Sequence, residues 1–131
     1  MKPVWVEKQA LLLLHGESLA EHGGAAGIRD EGLLDSALAR PLRRFEYETP
    51  DIHDLAAAYG FGIAKNHPFI DGNKRAAFLA AGLFLVLNRW HLEATQVDAT
   101  RVMLSVADGS LGESEFAAWL RTSSKATPRP R

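Results

Sequence analysis

No cysteine occurs among the 131 residues, which excludes disulfides, thiolate metal sites and a cysteine nucleophile. Long apolar runs are missing too. The longest, Ala76 to Leu87, spans twelve residues, short of the roughly 20 needed to cross a bilayer, so no membrane span is expected. Only Lys2 precedes Glu7 as an early base, and the Leu11–Leu14 run is too short for a signal-peptide core. The expectation is a soluble, cytoplasmic protein. Nor is positive charge in excess, since 15 Lys+Arg face 16 Asp+Glu. Four of the bases, Arg121, Lys125, Arg129 and Arg131, fall in residues 121–131, leaving the first 120 residues with eleven bases against sixteen acids. Phosphate neutralisation dominates nucleic-acid affinity, so no direct nucleic-acid binding is expected of that body. The basic stretch 122–131 reads as a flexible, solvated tail on a single domain of residues 1–121.

What is present is ordinary globular material, 47% hydrophobic and 24% charged. Val6, Leu11, Leu14 and Leu19 recur at helical spacing, and Gly23-Gly24 ends that pattern. Asp30 is placed to cap a second helix carrying Leu33, Leu34, Ala37 and Leu38, with Pro41 as its expected stop. Asp51 starts a third, with Leu55, Ala58, Tyr59 and Ile63 towards the core. A fourth, about Gly72 to Asn88, is apolar on every side after its first turn, which predicts a position in the middle of a bundle. Shorter helices are expected near Asp98–Ala107 and Glu113–Arg121. Between the second and third helices, Arg44, Phe45, Glu46, Tyr47 and Glu48 alternate polar with aromatic, a period of two that suggests a short exposed strand or flap. The fold class is therefore all-α: about six helices around a buried central helix, with at most a small β flap.

One segment breaks local rules. In His67-Pro68-Phe69-Ile70-Asp71-Gly72-Asn73-Lys74-Arg75, Pro68 disfavours helical geometry at His67, so the third helix should end near Asn66. Phe69 is expected to anchor the loop in the core. Free N–H groups at a helix start form an anion site, and acids are the usual side chains there. Here Lys74 and Arg75 stand in that turn, each unfavourable by about 0.3–1 kcal/mol against the helix dipole. A bound polyanion, held by the two cations, the backbone amides and Asn73, would resolve the conflict. Asp71 has two compatible readings, as a helix cap or as a Mg²⁺ ligand beside phosphate. His67 lies beside the proposed cradle, and an imidazole titrates near neutrality, so it is the candidate general base. His15, His22, His53 and His91 form no zinc pattern and read as structural or exposed.

The segment resembles the Fic/Doc signature, His-x-Phe-x-(Asp/Asn)-(Gly/Ala)-Asn-(Gly/Lys)-Arg, at every constrained position. Gly27 to Leu34, Ala39 to Pro41 and Asp54 to Tyr59 are similar to the death-on-curing (Doc) toxin branch. The usual adenylyltransferase pattern has a second glycine where Lys74 stands and another arginine where Phe78 stands. The lysine form belongs to the Doc branch, and it implies a kinase presenting the γ-phosphate of ATP to a protein threonine. By that resemblance, His67 is the general base and Asp71 holds Mg²⁺. Gly72, Asn73, Lys74 and Arg75 bind the nucleotide's phosphates, Phe69 is a structural anchor, and the target is elongation factor Tu, whose modification arrests translation. Residues 44–48 would then dock a target segment by strand addition, or form a solvated surface strand.

The internal inhibitory motif of many Fic proteins, (Ser/Thr)-x-x-x-Glu-(Gly/Asn), is missing. The one Glu followed by Gly or Asn is Glu31, and Gly27 lies four before it. Restraint by a separate Phd-type antitoxin is the implication. Two alternatives stay open: a Fic-type adenylyltransferase that tolerates Lys74, and a non-catalytic module that binds antitoxin as a co-repressor.

Overall fold

A computed structural model of the chain describes residues 1–128. Six helices follow in order, α1 (Lys8–His22), α2 (Glu31–Tyr47), α3 (Ile52–Asn66), α4 (Asn73–Leu87), α5 (Gln96–Asp108) and α6 (Glu113–Thr122). Strands β1 (Trp90–Leu92) and β2 (Ser124–Ala126) pair antiparallel, with His91 opposite Lys125. The fold is all-α with one small sheet. None of the described helices is long and apolar enough to cross a membrane.

Two of the caps expected from sequence, Asp30 and Asp51, are in place. Asp30 accepts the Leu33 N–H at 3.0 Å. Asp51 and Asp54 form a reciprocal capping box at the start of α3. The central helix is α3, not α4. It packs against α2, α4, α5 and α6, and its residues from Leu55 to Tyr59 are completely buried. Small residues make that possible: a Cβ on Gly60 would lie 2.7 Å from the Phe116 ring and 3.2 Å from the Ala77 carbonyl oxygen. The longer apolar run of α4 buries Ala76, Ala77, Ala80, Ala81, Phe84 and Leu85, yet Val86 in its last turn is exposed.

Three further expectations are corrected. Residues 44–47 are the last turn of α2, and Glu48 is its C-cap, so Arg44, Phe45, Glu46, Tyr47 and Glu48 form no strand or flap. The helix passes through Pro41, which is buried. On either side of it, Arg40 and Arg44 both pair with Glu113 of α6, and Arg44 also meets Glu48 one turn on. These ion pairs hold the segment in helical register where proline leaves a gap in the ladder. Phe45 packs edge-on against Trp5. The β element lies elsewhere, and it includes part of the stretch read as a tail: Ser124–Ala126 forms β2, while residues 129–131 lie outside the described residues.

The small sheet is tied down at both strands. Buried His53 on α3 lies 2.8 Å from the Ser124 hydroxyl through Nε2 and meets the Trp90 ring edge-on. Burial pushes its pKa below the ordinary histidine value. At the other end of the chain, Asn88 exchanges hydrogen bonds with the Val4 backbone in both directions. Its side chain also caps the Phe84 carbonyl, which accounts for an asparagine where a glycine stop is common. Tyr59, fully buried, accepts the Val6 N–H, and its phenol is pushed up to about 12 by burial.

Candidate active site

The loop between α3 and α4 is held from beneath and from both sides. Helix α3 stops where expected, because Pro68 cannot supply an N–H and His67 turns into the left-handed region at φ 54°, ψ 52°. Arg29 covers the carbonyls exposed by that stop, donating from Nε to His67 O at 2.7 Å and from Nη2 to Asn66 O at 3.0 Å. The Arg29 and Asp30 N–H groups both reach Pro68 O, and Ile70 N–H donates to Gly27 O. The segment before α2 is thus stitched along the loop, with Ile28 bridging Phe69.

Beneath the loop, Phe69 is buried as expected and stacks on His15 of α1, ring centroids 3.8 Å apart. His15 Nε2 donates to the Asp71 carbonyl at 2.8 Å. Gly72 lies directly above, at φ 74°, where a Cβ would sit 3.3 Å from His15 Nε2. Glycine alone suits both the conformation and the space. The Asp71 carboxylate accepts the Ala25 N–H at 3.2 Å and the Gly72 N–H at 3.0 Å. It therefore braces the loop two residues ahead of α4 and is not its cap; the cap position belongs to Gly72, which offers no side chain.

Asn73 organises the chemical groups. Buried at the first position of α4, it accepts the Phe69 N–H at 2.9 Å and donates back to Phe69 O at 2.9 Å. This pair sets which end of the amide is nitrogen. The remaining donor meets His67 Nδ1 at 3.1 Å, so neutral His67 carries its hydrogen on Nε2. The ring is otherwise exposed. Lys74 and Arg75 follow in the first turn, both exposed and without a carboxylate partner among the described residues. The N–H groups of Asn73, Lys74 and Arg75 likewise find no acceptor among those residues. Two cations and three open amides converge at one helix tip.

These groups line one end of a cleft of about 590 Å³. His67, Asp71, Gly72, Asn73, Lys74 and Arg75 come together there, while residues 44–48 contribute nothing to its lining. The rest of the lining is Ile70, Phe78, the Ala94 linker and one face of α5. Sequence reasoning missed that α5 wall and the parts played by His15 and Arg29. No group of three or more His, Cys, Asp or Glu side chains converges as a metal cage among the described residues. Chemically, the cleft sets two cations and open backbone amides, groups able to hold an anion, beside an imidazole.

The model of the Fic/DOC family matches residues 5–85, more than half of the chain. Over 74 residues the chain is 45% identical to a protein named Toxin Doc from Mycolicibacterium smegmatis (strain ATCC 700084 / mc(2)155). That match takes in 55% of this chain and spans 57% of the relative's length. The motif, the helix–loop–helix that carries it and these likenesses agree: the chain belongs to the Fic/DOC family, with its likeness on the Doc side.

Proposed function

We propose that this protein is the toxin of a toxin–antitoxin module and acts as an ATP-dependent protein kinase. It phosphorylates a threonine of a translation factor, elongation factor Tu, and so arrests translation in the cytoplasm. The observation that carries this reading is the pair Lys74 and Arg75, without a carboxylate partner among the described residues, at the open start of α4 beside His67. Phosphoryl transfer depends mainly on positioning and charge stabilisation, and that arrangement supplies both. Phe78, one turn up α4 on the same cleft, supports transfer of the γ-phosphoryl over adenylyl transfer, because it offers no charge to a distal phosphate.

In the reaction, the threonine O–H bond breaks, its oxygen bonds to the γ-phosphorus, and the bond from that phosphorus to ADP breaks. His67 takes the proton at Nδ1, the nitrogen without hydrogen in the resting tautomer, and the Asn73 amide gives up its 3.1 Å hydrogen bond as the proton arrives. Lys74, Arg75 and the open amides hold the charge spread over the phosphoryl oxygens. Asp71 fits a Mg²⁺ ion that arrives with ATP. One carboxylate suffices when phosphates and water supply the other ligands, and each Asp71 oxygen accepts one N–H and keeps a lone pair. An ion held by Asp71 would supply positive charge against the phosphates. A Phd-type antitoxin, folding as it binds, is the matching restraint, since the chain carries no inhibitory motif of its own.

Incubating the protein with ATP, Mg²⁺ and a bacterial lysate, then weighing the modified peptides, tests the proposal. A phosphoryl adduct that disappears with His67→Ala is expected. An adenylyl adduct would overturn the kinase, and growth arrest that persists in His67→Ala would overturn catalysis as its cause.

A further inference from the structure

His15 lies outside the cleft lining, beneath the loop that carries Asp71 and Gly72. It is buried on α1, with its ring laid flat against Phe69, the two planes 20° from parallel. A carbonyl oxygen only accepts, so the 2.8 Å contact between Nε2 and the Asp71 oxygen places a hydrogen on Nε2. No other group among the described residues donates to that oxygen. In a trans peptide the C=O and the N–H point opposite ways. With the Asp71 carbonyl turned towards α1, the Gly72 N–H is turned away from it, to the Asp71 carboxylate 3.0 Å distant.

Little else holds that peptide plane. Turning it over rotates mainly Asp71 ψ and Gly72 φ, and glycine accepts positive and negative φ alike. A residue with a side chain would resist the turn, but its Cβ would sit 3.3 Å from His15 Nε2. The carboxylate that receives the N–H belongs to an exposed residue, where a hydrogen bond competes with water. The buried bond from His15 is the firmer restraint. Turned over, the peptide would set a carbonyl oxygen beside the carboxylate and withdraw the N–H, placing an acceptor where an anion is to bind.

We propose that His15 is a positioning residue for phosphoryl transfer: it pins the Asp71–Gly72 peptide so that the Asp71 carboxylate and the Gly72 N–H stay on the side of the phosphates. This inference rests on the nucleotide reading given above and adds the group that keeps the receptor in its binding orientation. His15 acts through the backbone. Its loss lowers the fraction of molecules competent to bind, and the apparent affinity falls with that fraction. The stack on Phe69 fixes the plane of the ring and the carbonyl fixes its edge, so a ring that carries a donor is required at this point of α1.

Nitrogen NMR of the free wild-type protein should show a proton on His15 Nε2 and a single sharp Gly72 amide resonance. His15→Phe keeps the stack on Phe69 and removes the donor; His15→Gln brings an amide N–H to about the place of Nε2 and restores it. In His15→Phe the Gly72 resonance is expected to shift or broaden. Calorimetric affinity for ATP with Mg²⁺ should fall about five- to tenfold, as for loss of a hydrogen bond that biases a two-state element. In His15→Gln the resonance should return, and the affinity should lie within about twofold of the wild type. A wild-type Nε2 without hydrogen refutes the lock whether or not either variant folds. An unchanged Gly72 resonance or an unchanged affinity in His15→Phe also refutes it and leaves the phosphate cradle standing. So does a His15→Gln as weak as His15→Phe. If the wild type binds no ATP, the nucleotide reading falls, and the part of His15 in the reaction falls with it, however the Gly72 resonance behaves.

Discussion

Replacing His67 by glycine and by alanine separates the stability of the loop from its chemistry. His67 sits at φ 54°, ψ 52°, where a residue with a Cβ is disfavoured by roughly 1–2 kcal/mol and glycine is not. The backbone there keeps its bonds in either variant, the N–H to Ile63 O and the carbonyl to Arg29. What the ring adds is the 3.1 Å hydrogen bond from Asn73, at an exposed site where such a bond contributes about 0.5–1 kcal/mol. Alanine loses that bond and keeps the backbone strain, so His67→Ala should be destabilised by about 0.5–1 kcal/mol. Glycine loses the same bond but relieves the strain. His67→Gly should therefore be about 1 kcal/mol more stable than His67→Ala, a difference of roughly 3–5 °C in Tm for a chain of this size. Calorimetric melting of the three proteins, with phosphate transfer from labelled ATP measured in parallel, checks both halves. Both variants should be inactive. A glycine variant that melts at or below the alanine variant refutes the strain, and transfer surviving in either refutes His67 as the base.

Asn73→Ala should be destabilised by about 2–4 kcal/mol in urea titration, because it leaves the Phe69 N–H and C=O without partners in the core; a loss below about 1 kcal/mol would show that the amide does not hold the loop. Lys74→Gly should slow phosphoryl transfer on the order of a hundredfold in single-turnover assays, as expected for removing one preorganised charge, and an unchanged rate would remove Lys74 from the mechanism. The depressed pKa of His53 gives a pH signature. Its neutral form fits the fold, so its contribution to stability is full above the unfolded histidine value near 6.5 and is lost as pH falls through that value towards the lower folded one. The facing charges are Asp51 and Asp54, which favour the protonated ring, and Arg121, which opposes it. Melting curves between pH 7.5 and about 5 should fall less steeply for His53→Gln than for the wild type, and parallel curves would contradict the assignment.

The parts of the fold readable in advance are those fixed by local chemistry. Asp30 and Asp51 cap helices because a carboxylate before an apolar-periodic run has few other uses, and Pro68 ends α3 because no helical N–H can follow. The loop announced itself through cations in a turn that ordinarily holds acids. What escaped notice depends on partners distant in the chain. The 44–48 alternation looks like a strand in isolation, and Glu113, far along the chain, makes it helix through Arg40 and Arg44. Both α3 and α4 are apolar all round; the choice of α3 as centre rests on Gly60 and Gly62, whose value lies in what Phe116 and Ala37 bring against them. His15 carries no local sign of its role, since the Asp71 carbonyl it supports is 56 residues away. The α5 wall was legible as a helix face but not as the side of a cleft, because only the docking of α5 beside α4 creates the space.

The central claim is that the tip of α4 grips the terminal phosphates of a nucleotide next to His67. A crystal structure of the protein with Mg²⁺ and a non-hydrolysable ATP analogue tests it most directly. The γ-phosphate is expected within hydrogen-bond distance of Lys74, Arg75 and the open amides, with the His67 ring facing it. Density that places the α-phosphate there instead, or the whole nucleotide away from α4, would contradict it.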